Sequence, residues 1–110
     1  MAAIGKLTIS GKSGTVYTFD MYPIDTNWKD NVACLYYISK RTQSGGHGSH
    51  TPIYIGQTQD LKTRHIDHHK QECFDSHGYN CISLLLEASE RKRLAIELDL
   101  LEAHNFPCNG

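Results

Sequence analysis

The chain lacks an excess of charge of either sign: 11 Lys and Arg face 12 Asp and Glu, for a formal net charge of -1. Gripping nucleic acid by bulk electrostatics is therefore excluded, and any such binding has to rest on local patches. Lys40-Arg41, Lys62 with Arg64, Lys70 and Arg91-Lys92-Arg93 form one patch if the fold gathers them, and separate solvated faces if it does not. No apolar stretch approaches the roughly 20 residues that a bilayer requires. Residues 1–10 lack the charged start, apolar run and small-residue cleavage site of a secretory signal. Cys34, Cys73, Cys81 and Cys108 form no CxxC pair, and with no sign of export they are expected to be reduced. These absences point to a cytoplasmic protein without a membrane partner.

At 110 residues and 39% hydrophobic composition, the chain suits one globular domain able to bury a core. Two short alternating runs, residues 6–10 and 15–21, flank Gly11-Lys12-Ser13-Gly14 and read as a β-hairpin. Residues 23–31 have loop composition, with Trp28 as an anchor. A strand is expected over residues 32–39 and another over 52–56. The intervening residues 41–51 are too rich in glycine to favour one backbone conformation and read as a mobile loop. A helix is expected over residues 60–73, capped by Thr58 or Asp60, then a loop over 76–80 and a buried strand over 81–86. A last helix runs from residue 88 or 89 to 104, with Leu94, Leu98 and Leu101 as its apolar stripe.

Several chemistry-bearing residues fall at suggestive positions in this outline. Tyr36 and Tyr54 sit on consecutive strands, and Gly56 follows two residues after the second phenol. Arg64 and His68, four apart, share a face of the expected helix with Leu61. Glu97 lies inside the stripe of the last helix, where a carboxylate needs a partner: either Arg93 one turn earlier or a divalent metal ion.

The ordered series Tyr36, Tyr54-Ile55-Gly56, Arg64, His68, Glu97 and Asn109 resembles the GIY-YIG nuclease superfamily, from about residue 33 to 109. Cys34-Leu35-Tyr36 stands where that family has Gly-Ile-Tyr, and Gln57-Thr58 follows the second motif as in many members. Two departures are Cys34 in place of the glycine and the Gly/His-rich insert between the motifs. The resemblance implies an α+β fold: a small central three-stranded antiparallel β-sheet flanked by helices, with an N-terminal β-hairpin added. Residues 1–31 would form the hairpin extension and loop, packed on a nuclease-like domain of residues 32–110.

The implied activity is hydrolysis of DNA phosphodiester bonds with one Mg²⁺ or Mn²⁺, RNA remaining open as a substrate. Tyr36 or Tyr54 would activate the water, with Tyr36 favoured as base and His68 as proton acceptor, since a free phenol with pKa near 10 needs such help. Arg64 would stabilise the scissile phosphate and Glu97 would ligate the metal. Gly56, Lys62, His77 and Asn109 would serve substrate binding, Asn109 also fixing the tail against the sheet. A partner protein would supply specificity.

Two other readings belong beside this one. A non-catalytic or partner-dependent nucleic-acid-binding module would keep the same residues without turnover. Zinc binding is the second, because His65, His68, His69, Cys73, His77 and Cys81 crowd together, although their spacing fits no familiar finger.

Overall fold

The computed structural model describes residues 3–44, 47–62 and 70–109; Arg64, His65, His68 and His69 lie outside them. Strands β1 (Gly5–Ser10) and β2 (Val16–Pro23) form the expected hairpin, pairing Leu7 with Phe19 and Ile9 with Tyr17. Strands β3 (Cys34–Ser44) and β4 (His47–Thr58) form a second, longer one. A short helix α1 (Gln71–Ser76), strand β5 (Cys81–Leu86) and helix α2 (Glu90–Ala103) complete the chain, followed by a 3-10 turn at Pro107–Asn109.

The sheet is not the three-stranded one expected. All five strands join one antiparallel sheet in the order β1-β2-β5-β3-β4. Strand β2 runs along β5 from Asp20↔Leu84 to Pro23↔Cys81, so the hairpin continues the sheet and β5 becomes an interior strand. The physical reason is that β5, paired with β3 on one side, offers a second row of backbone N–H and C=O groups. The hairpin satisfies that row. Strands dominate the described residues, with the two helices α1 and α2 against them.

The glycine-rich insert also departs from expectation. Residues 41–44 and 47–50 continue the β3–β4 ladder as far as Ser44↔His47. A register shift between Ile38 and Ser39 separates this arm from the buried part of the hairpin. Two polar contacts hold the arm: Thr42 Oγ1 to Ser49 Oγ at 3.0 Å, and the Asn80 amide, which accepts from Arg41 N–H at 2.7 Å and donates to Arg41 C=O at 3.0 Å. Asn80, just ahead of β5, thus carries the pairing with β3 one residue further through its side chain.

Two cores lie on opposite faces of the sheet, as the alternation of β3 requires. Cys34, Tyr36 and Ile38 point into one, with Trp28, Ile53, Leu61, Phe74, Ile82 and Leu84. Leu35 and Tyr37 point into the other, with Phe19, Ile55, Leu100 and Phe106. Trp28 is buried and meets Tyr22 edge to face at 5.2 Å, as its loop-anchoring role predicts.

Helix α2 starts where expected, Ser89 Oγ accepting the Lys92 N–H at 3.3 Å. Its buried stripe differs from the leucine pattern. Leu94 and Leu98 face outward, 46% and 58% exposed, while Arg93 and Leu100 are buried. The packed face runs through Arg93, Ile96, Glu97, Leu100 and Leu101. Arg93 takes an inward place because its guanidinium finds three acceptors: Gln57 Oε1 on β4 at 2.9 Å and the carbonyls of Glu87 and Ala88, between β5 and the helix, each at 3.0 Å.

The expectation of four reduced cysteines is also corrected. Cys73 and Cys108 form a disulfide that ties α1 to the C-terminal turn. Cys34 and Cys81 are free and buried. No helix among the described residues is long and apolar enough to cross a membrane.

Candidate active site

The two tyrosines come together. Tyr36 and Tyr54 meet with ring centroids 5.8 Å apart and planes tilted by 35°, because β3 and β4 pair Tyr36 with Gly56 and Ile38 with Tyr54. Gly56 makes this possible. A Cβ there would lie 2.5 Å from Tyr36 Cζ, 2.6 Å from its hydroxyl and 2.8 Å from Tyr54 Cε1, closer than nonbonded heavy atoms tolerate. The missing side chain makes room for two phenols across the strand pair. Tyr54 continues to Phe74 at 5.3 Å, and Phe74 to Tyr79 at 5.7 Å, so an aromatic row joins the sheet to α1.

Burial distinguishes the phenols. Tyr36 is 2% exposed, whereas Tyr54 is half-buried. Tyr37 lies on the other face and its hydroxyl is pushed up to about 12, by burial first and by the neighbouring Cys81 second. Tyr17 donates to Asp99 Oδ2 at 2.8 Å. Tyr37 therefore serves packing and Tyr17 docks α2.

Asn109 is held on the edge strand. Its side-chain oxygen accepts from Ile55 N–H and its amide nitrogen donates to Ile55 C=O, both at 2.9 Å. Ile55 stands between Tyr54 and Gly56, so the tail is fixed against the middle of the second motif. The disulfide at Cys108 anchors the preceding residue.

Glu97 is half-buried on the packed face of α2, one turn after Arg93, and that helix packs on the face of the sheet opposite Tyr36 and Tyr54. The Arg93 guanidinium is engaged by Gln57, next to Gly56, and by two main-chain carbonyls. Of the expected basic cluster at residues 91–93, one member is thus turned inward. Lys62 is exposed and pairs with Asp30 at 3.2 Å. His77 is exposed and forms the C-cap of α1, beside Cys73 and Cys108. Arg64 and His68 fall outside the described residues.

Sequence reasoning missed the inward Arg93, the Arg93–Gln57 bond and the Asn80 clamp. The first had a signal: Arg93, Glu97, Leu100 and His104 recur at helical spacing once polar residues are admitted to the stripe. The clamp had none, because it depends on where β5 ends relative to β3. A third polar contact, Ser39 Oγ with His50 Nδ1 at 2.9 Å, spans the bulged ladder. Burial and the nearby Arg41 lower the His50 pKa below its ordinary value.

Comparison with protein-family models, with curated proteins and with solved structures finds no match to this chain.

Proposed function

We propose that this chain is a metal-dependent endonuclease of GIY-YIG type that hydrolyses DNA phosphodiester bonds in the cytoplasm, aided by a partner protein that supplies specificity. The observation that carries this reading is the Tyr36–Tyr54 pair over Gly56, which places two phenols together at the expense of a side chain. An ordinary half-buried strand has no need of a glycine opposite a tyrosine.

The residues divide the work by access. The sequence favours Tyr36 as base, but Tyr36 is buried, so Tyr54, the more solvent-accessible phenol, takes the attacking water and Tyr36 packs against its ring. By the sequence resemblance, Arg64 places positive charge on the phosphoryl oxygens and His68 takes the proton. Glu97 is a half-buried hard-oxygen donor, which suits ions that bind through one or two carboxylates together with waters and phosphate oxygens. Mg²⁺ or Mn²⁺ held by Glu97 would offset negative charge on the leaving oxygen, acting from α2, which covers the face of the sheet opposite the two phenols. Asn109 holds the Ile55 backbone, and with it the register of Tyr54 and Gly56.

The test is cleavage of labelled single-stranded, duplex, branched and flapped DNA, and of RNA, with Mg²⁺ or Mn²⁺. Glu97→Ala and Arg64→Ala should each reduce cleavage at least about a hundredfold. Cleavage surviving both substitutions overturns the mechanism. DNA binding without cleavage by the wild type, with or without added cell extract, favours a non-catalytic binding module, a reading to which the deep burial of Tyr36 lends weight.

A further inference from the structure

Cys73, His77 and Cys108 bring their ligand atoms within 4.8 Å of one another. Cys73 and His77 stand one helical turn apart at the end of α1, and Cys108 comes from the C-terminal turn. Two sulfurs and an imidazole nitrogen make a soft donor set, unlike the oxygen donor Glu97. In the structure the two sulfurs are joined, and His77, exposed at the helix end, completes the group from outside.

We propose that reduction of the Cys73–Cys108 disulfide turns this cluster into a zinc site, with Cys73, His77 and Cys108 as three ligands and water as the fourth. The inference does not depend on the nuclease reading. It differs from the histidine-rich set suggested by the sequence, because Cys108 replaces Cys81. Cys81 is buried on β5, its sulfur 3.8 Å from the Ser83 hydroxyl.

The steps balance. Two small-molecule thiols reduce the disulfide by exchange, leaving two cysteine thiols and one small-molecule disulfide. Zinc then displaces one proton from each thiol and takes the neutral imidazole, so binding releases two protons. Tetrahedral coordination needs ligand atoms about 3.5–3.8 Å apart.

The cluster sits one residue before Asn109, whose amide holds Ile55. A sulfur–sulfur bond and a sulfur–zinc–sulfur bridge both tie the tail to α1. The connection would thus persist in a reducing compartment, where a bare disulfide opens.

The experiment titrates metal-free full-length protein with zinc, oxidised and after reduction by a phosphine, in a Cys34→Ser/Cys81→Ser background. Competition with a chromogenic chelator gives affinity, and cobalt substitution reports thiolate ligation by its charge-transfer band. Reduced protein should bind one equivalent with that band, and oxidised protein should bind at least about a hundredfold more weakly. His77→Ala, at an exposed position, should weaken binding at least about tenfold and keep the band, while Cys108→Ser should diminish it. Equal affinity of oxidised and reduced protein, unchanged binding by His77→Ala, or cobalt bound without thiolate absorption would each overturn the proposal. If Cys108→Ser proves unfolded by circular dichroism, the oxidised protein and His77→Ala decide the matter.

Discussion

The two faces of the sheet are covered by different means. On the face of Leu35, Tyr37 and Ile55, the cover is one 14-residue helix with its own cap. It is docked at its far end by Asp99, which accepts from Ser13 N–H at 2.8 Å, Ser13 Oγ at 2.7 Å and Tyr17 hydroxyl at 2.8 Å. On the face of Tyr36 and Tyr54, the described cover includes the 6-residue α1, joined covalently to the C-terminal turn. A long helix stabilises its position through many small contacts. A six-residue helix has too few, and the two phenols of the candidate site lie on the side where a cross-link makes up the difference.

Removing the cross-link should produce the largest effect. The double substitution Cys73→Ser/Cys108→Ser frees two positions 35 residues apart, which costs about 3–4 kcal/mol by loop-closure entropy. Urea denaturation of oxidised wild type and variant measures this, and a difference below about 1 kcal/mol would mean that α1 holds the tyrosine face without help. Next in size is Arg93→Ala on the opposite face. It leaves Gln57 Oε1 and the carbonyls of Glu87 and Ala88 without their donor, and should cost about 2–4 kcal/mol. A loss under 1 kcal/mol would show that water replaces the guanidinium there.

Gly56→Ala sharpens the comparison at the shared strand. Its Cβ meets Tyr36 and Tyr54 on one face only, so destabilisation of about 1–3 kcal/mol is expected. Much of it should be recovered in Gly56→Ala/Tyr36→Ala when compared with Tyr36→Ala alone. Additive losses in that cycle would mean that the alanine is excluded by something other than the phenol.

The smallest effect is that of pH on the helix dock. Hydrogen bonds from the Ser13 hydroxyl, then from Ser13 N–H and Tyr17, lower the Asp99 pKa below its ordinary value. A depressed carboxylate pKa contributes stability above the unfolded value, near 3.8, which is lost as pH falls through the lower folded value. Asp99→Asn should therefore melt below wild type at neutral pH, and the two curves should converge in acid. A constant gap across that range would assign the loss to packing.

Local features were readable from the chain because local residues determine them. Glycines at positions 11 and 14 announced the first hairpin, and Ser89 the start of α2. The union of the hairpin with β5 was not readable, since pairing Asp20 with Leu84 depends on an edge that exists only once β3 and β5 have met. The extended arm was misread because glycine content reports backbone freedom, whereas cross-strand contacts such as Thr42 with Ser49 decide whether that freedom is used. Leu94 and Leu98 misled for a related reason. Their hydrophobicity favours burial, but Arg93 takes the inward place by donating to Gln57 and to the carbonyls of Glu87 and Ala88 just ahead of the helix, and one helix face cannot present all of them.

The amide of Asn109 has a consequence for the molecule's behaviour in company. Strand β4 is the outer edge of the sheet, and Ile55 presents its N–H and C=O outward, where a strand from another molecule would bind. By occupying both groups, one side chain makes this stretch a poor template for strand addition. The tail thus closes this stretch of β4 to strand addition, β1 being the other edge of the sheet.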